Sequence, residues 1–193
     1  MQFESVEHGY ANLWAKAEIR PERAGAAKTI AQKLAGDKAR YEAVSEKVGA
    51  PWWWVAIIHQ MEADANFTKH LHNGDPLTAR TVHVPAGRPP KPLMPPFAWE
   101  QSAADALTLE GVAAVNKWTV PRALYQFEKY NGFAYFNHAI NSPYVWSFTT
   151  LYTRGKYVAD GRFNAGAVSK QCGAAAILKA MAAAGIVNLQ DLT

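Results

Sequence analysis

The sequence points to a mainly α-helical fold with a small β-hairpin and a proline-rich loop. Three observations lead there. Apolar residues recur at helical spacing through most of the chain. The periodic stretches open at proline or threonine and stop at glycine, the residues that suit helix starts and ends. Seven of the eleven prolines crowd between Pro76 and Pro96, where the helical period disappears. At 193 residues, 49% of them hydrophobic, the chain is sized for one domain with a substantial core. Within 1–193 we expect an N-terminal helical packing lobe over 1–48 and a catalytic core over 49–185.

In chain order, Glu4 to Lys16 places Val6, Tyr10, Leu13 and Trp14 at helical spacing. Pro21 opens a second helix, with Ile30 and Leu34 as its buried residues and Gly36 as a stop. Lys38 to Val48 sets Tyr41, Val44 and Val48 on one face, and Gly49 ends it. After Phe67, His70–Leu77 contains an Asn-Gly turn, and Arg80–Pro85 alternates polar and apolar residues. The two are expected to pair as a β-hairpin that walls a cleft. Ala98 to Val115 is an alanine-rich helix, and Thr119-Val-Pro121 starts another that carries Leu124, Phe127 and Tyr130. An aromatic connector from Phe136 to Trp146 leads into a helix through Tyr152. Lys156 to Phe163 reads as a turn or short hairpin, and Gly166 to Ala184 as a final helix stopped by Gly185.

The central helix begins at Pro51 and is apolar almost all round from Trp52 to Met61, the pattern of a helix inside a protein. One carboxylate interrupts it. Glu62 shares a face with Val55 and Ile58. At the end of a buried helix its charged form should be penalised and its pKa raised, as a general acid requires. The bland alternative is that Glu62 marks where the helix meets water. Asp64 is expected to cap or solvate the same end.

A net charge of +4, with no cluster of Lys and Arg, argues against nucleic acid as a partner. No apolar run is long enough to enter a membrane, and no basic-then-apolar leader opens the chain. The expectation is a protein made in the cytoplasm without a signal peptide, which something else must deliver if it acts outside. The lone Cys172 permits no intramolecular disulfide and reads as a buried small hydrophobe. A zinc-dependent peptidase is the rival chemistry, since His59 and Glu62 are three apart and His70 and His72 share a side of an extended segment. No His-Glu-x-x-His pair accompanies them. A non-catalytic wall-binding or phage structural module is the third reading.

Three strings in order carry a resemblance: Ala56-Ile-Ile-His-Gln-Met-Glu62-Ala-Asp-Ala-Asn-Phe67, Tyr130-Asn131-Gly132 and Ser142-Pro-Tyr144-Val-Trp146. They resemble the lysozyme-like superfamily, including goose-type lysozymes and lytic transglycosylases. With Asn73–Leu77, Val82–Arg88 and Lys156–Gly161 added, residues 40–185 are similar to phage and bacterial endolysins. The resemblance implies a lysozyme-like helical domain and a glycoside hydrolase. It would cleave the β-1,4 bond between N-acetylmuramic acid and N-acetylglucosamine in peptidoglycan, with Glu62 as general acid. Asp75 is the candidate second carboxylate. His59, Arg80, His83, Tyr130, Asn131 and Tyr144 are the candidate substrate contacts. No metal or other cofactor is expected, and the chain is expected to act as a monomer. Glu62-Ala63 replaces the usual Glu-Ser, and Asn131-Gly132 is shortened from Asn-Ala-Gly, so the product is either a reducing or an anhydro sugar.

Overall fold

Eight α-helices and one antiparallel strand pair account for most of the regular structure in residues 1–192, which the computed structural model describes. The helices are α1 (Glu7–Lys16), α2 (Pro21–Gly36), α3 (Lys38–Val48), α4 (Trp52–Ala63), α5 (Trp99–Leu109), α6 (Val120–Asn131), α7 (Pro143–Trp146) and α8 (Ala174–Ala183). Strands β1 (Lys156–Ala159) and β2 (Arg162–Asn164) pair with Lys156 opposite Asn164 and Tyr157 opposite Phe163. The mainly helical class and the hairpin at Lys156–Phe163 therefore stand as expected.

The chain divides into two compact units. One is Gly36–Lys117, and the other joins Met1–Ala35 to the residues from Trp118 onward. This differs from a division after residue 48, because α3 packs against both α4 and α5. In the Gly36–Lys117 unit, Gly49 closes α3 in the left-handed region at φ 70°, its amide bonded to Ser45 O at 2.8 Å. Tyr41, Val44 and Val48 are the buried stripe of α3, and every residue of α4 from Trp53 to Met61 is buried. Trp54, Ile57 and Ile58 are among the largest fully buried side chains, each worth about 1.5–3 kcal/mol of apolar transfer. In the other unit α1 lies along α6, and α6 and α8 both meet α7. Thr119 caps α6 by accepting from the Arg122 amide at 3.2 Å.

Three expected elements change. Residues 70–85 form no hairpin: an isolated Lys69–Pro76 bridge is the β pairing there, and side chains hold the remaining loop. The helix expected after Trp146 through Tyr152 does not form, because Ser147 is extended (φ −57°, ψ 149°) and Phe148 is left-handed at φ 71°; the short helix α7 lies instead within the expected connector. Thr149 then bridges to Ile19. The last helix begins at Ala174, eight residues later than expected, since the chain before it must pass close to the end of α7. Gly173 marks that approach. A Cβ there would lie 2.6 Å from both Ser147 N and Val145 O, atoms of backbone that cannot step aside.

Gly173→Ala is therefore expected to lower unfolding free energy by about 2 kcal/mol through overpacking. Gly25→Ala in α2, where nothing lies within 4 Å, should raise it by up to about 1 kcal/mol through helix propensity. Denaturant titration of the two variants checks both signs.

Candidate functional site

Helix α4 delivers Glu62 to solvent. The buried run ends at Met61, and Glu62 is exposed one residue later. The chain then reverses sharply through Asp64 and Ala65, consecutive non-glycine residues at φ 53° and 52°. The Asp64 amide bonds to Gln60 O at 3.1 Å, the Ala65 amide to His59 O at 3.1 Å, and Gln60 Nε2 donates to Asp64 Oδ1 at 2.5 Å. Asp64 thus caps the helix, as expected. Two left-handed residues without glycine cost about 1 kcal/mol or more each, and such strain clusters at functional sites. The burial expected for Glu62 is corrected: the carboxyl stands outside the apolar run that precedes it.

His59, on the same helix, is not a surface contact. It is wholly buried, with Nδ1 3.2 Å from the Tyr41 hydroxyl and its ring 4.3 Å from Trp99 and 4.7 Å from Phe67. Arg40 covers that aromatic cluster from outside, 3.8 Å above Phe67 and bonded to Glu100 at 2.5 Å. The helical period that makes His59 a neighbour of Glu62 also places it in the core, and its aromatic surroundings decide the outcome.

The proline-rich loop is ordered by polar clasps. Asp75, 8% exposed, accepts from His83 Nδ1 at 2.5 Å and from the amides of Val82 and His83 at 2.8 and 3.0 Å. The His83 imidazole, then its amide and that of Val82, hold the Asp75 carboxyl well below the usual carboxylate range. With both oxygens engaged inside the loop, Asp75 positions His83. The His83 side chain, 77% exposed, is still presented to solvent. Arg80 is committed elsewhere: its guanidinium donates to Pro89 O and Leu93 O and lies 5.5 Å from the Phe97 ring centre. Arg88 grips Asp105 through two hydrogen bonds, and His72 Nε2 donates to the same carboxylate at 2.8 Å. Burial pushes the His72 imidazole below its ordinary pKa.

His70 donates from Nε2 to Ala79 O at 2.8 Å, and the Ser102 hydroxyl meets its Nδ1 at 2.6 Å. Both ring nitrogens are thereby used. Among the described residues, no three His, Cys, Asp or Glu side chains group to hold a metal ion. The zinc constellation drawn from His59, Glu62, His70 and His72 is thus not assembled. Burial pushes the Cys172 thiol up to about 12, as suits an inert buried side chain.

Tyr130, Asn131 and Tyr144 belong to the other unit. Tyr130 is half-buried, Asn131 is the exposed last residue of α6, and Tyr144 is buried in α7. That unit also holds a carboxyl the sequence reading missed. Glu128 is 2% exposed, and burial pushes it up to about 7 while a hydrogen bond with Ser142 draws it back. Its Oε1 has no partner, and neither does the buried hydroxyl of Tyr10. Both line a cavity of about 340 Å³ with Leu13, Ile140, Ser142 and Trp146. The available signal was positional: Glu128 follows Leu124 by four residues, inside the apolar stripe of its helix.

Protonated Glu128 suits its site, so its contribution to stability is fully present below the unfolded pKa near 4.5 and is lost as pH rises through about 7. Relative to Glu128→Gln, the protein should lose about 3 kcal/mol of unfolding free energy across that window. Denaturant titrations at pH 4.5 and 8 measure the difference. Compared with known proteins, the chain has no matching family model, curated protein or solved structure.

Proposed function

We propose that the protein is a peptidoglycan-cleaving glycosidase that breaks the β-1,4 bond between N-acetylmuramic acid and N-acetylglucosamine, with Glu62 as general acid. One observation carries the reading. The Glu62 carboxyl stands at the solvent end of a helix whose nine preceding residues are buried, just before a strained reversal. A helix held this firmly fixes the backbone from which Glu62 projects, and a fixed point of attachment serves the positional precision that proton transfer to a leaving oxygen demands. Glu62 is exposed in the free protein, so the sugar chain itself would supply desolvation by covering it.

In this mechanism Glu62 gives its proton to the glycosidic oxygen as the bond to the muramic acid C1 breaks toward an oxocarbenium-like state. Attack at C1 by water yields a reducing sugar, and attack by a hydroxyl of the same sugar yields an anhydro sugar. The same acid serves both. His83, held by Asp75, is the loop residue best placed to meet a ligand, since its ring is exposed while its Nδ1 is fixed. The buried Glu128 suits a polymer poorly: it lies inside a small cavity, whereas a glycan strand needs an open surface.

Glu62→Gln should abolish clearing of purified peptidoglycan, a loss of at least about 100-fold in rate, because acid catalysis of this kind contributes about 10²–10⁴-fold. An exposed substitution of equal shape should leave the melting temperature unchanged to within a degree or two. Undiminished clearing by a folded Glu62→Gln variant would remove Glu62 from the mechanism.

A further inference from the structure

The cavity beside α1 and α6 has no part in wall cleavage as proposed above, yet its polar groups are unfinished. Tyr10 and Glu128 line it, 3% and 2% exposed, and the Tyr10 hydroxyl and Glu128 Oε1 each lack a hydrogen-bond partner. A buried polar atom left unpaired costs about 1–3 kcal/mol, so two on residues that line one cavity call for an explanation. Leu13, Phe136, Ile140 and Trp146 supply the large apolar surfaces, and Ser5, Asn141 and Ser142 are the other polar residues of the lining. Ser5, Gly9, Phe136 and Ala139 are exposed at the rim, which opens the interior to small solutes.

No lysine, arginine or histidine lines the cavity. The titratable groups facing Glu128 are Tyr10 of α1 and Tyr135 of the 3-10 segment Phe133–His138. On α8, Lys179 is drawn away over the Trp14 ring at 4.0 Å. On α6 itself, Arg122 lies 3.6 Å over Phe3 and reaches Glu4 at 3.2 Å. On the 3-10 segment, His138 stacks on Phe163 and meets the Tyr157 hydroxyl at 3.0 Å. The protein thus provides an acidic acceptor, a hydroxyl and aromatic faces, and leaves the positive charge to be brought in.

We infer that this cavity binds a small organic ammonium ion: an apolar primary amine whose N–H groups donate to Glu128 Oε1 and to the Tyr10 hydroxyl oxygen. Its hydrocarbon body would fill the space against Phe136, Ile140 and Trp146. The attraction has two sources, the charge-assisted hydrogen bond and the aromatic faces. A neutral amide is the competing occupant, since it also offers a donor and an acceptor. The absence of a protein cation beside a carboxyl favours the amine, because a buried carboxylate without a counter-charge is the costlier deficit.

Calorimetric titration of the whole protein with benzylamine, benzyl alcohol and phenylacetamide tests this without any variant. Benzylamine should bind at least tenfold tighter than either neutral compound at pH 8. It should also weaken about tenfold between pH 8 and pH 6, as Glu128 takes up its proton and the amine stays charged. Glu128→Gln should reduce benzylamine binding at least tenfold and leave benzyl alcohol unaffected. Equal or tighter binding of phenylacetamide, benzylamine affinity independent of pH, or no benzylamine binding at millimolar concentration would each overturn the inference. The outcome is separate from wall cleavage, since Glu62→Gln should bind benzylamine like the parent protein.

Discussion

A helix buried over nine consecutive residues has to surface somewhere, and the backbone of its first exposed residue is fixed by everything before it. That constraint governs the Gly36–Lys117 unit. Trp53 to Met61 cannot shift without opening the core, so the backbone that carries Glu62 is fixed while its side chain stands in solvent. The strained pair Asp64–Ala65 belongs to the same constraint. The chain must leave the helix at once, and the amides of both residues bond back to Gln60 O and His59 O to make the reversal tolerable.

Two carboxyls divide the properties that one was expected to combine. Glu62 has access without burial, and Glu128 has burial without room for a polymer. A buried acid of raised pKa is usually taken as the mark of catalysis. Here the mark falls on a cavity sized for a small molecule, and under the proposed function Glu62 would acquire its desolvation from the substrate. In the proline-rich loop Arg80 and Arg88 are spent on internal carbonyls and Asp105, while the His83 ring and Lys91 face outward.

Helices with strong stops were legible from residues alone. Pro21, Gly49, the Thr119 cap and Gly132 bound their elements as propensity and capping require. The failures share a cause, which is that contacts distant in sequence overrode local pattern. The alternation in Arg80–Pro85 has the period of a strand, but the Asp75 carboxylate takes up the Val82 and His83 amides that a ladder would need. Residues 166–173 read as helix, yet Gly173 must pass against the backbone of Val145 and Ser147. Among site residues, the position of Glu62 at the end of the apolar run was visible, and its exposure was not. His59 was placed on the right face with the wrong role, because only packing reveals that Tyr41, Phe67 and Trp99 enclose it.

The central claim concerns the chemical bond that is cut, and mass spectrometry of peptidoglycan digested by the unaltered protein addresses it directly. Fragments should end at the glycan bond following N-acetylmuramic acid, as reducing or anhydro sugars, with stem peptides intact. Cut peptides with continuous glycan strands, or a wall recovered whole, would contradict it.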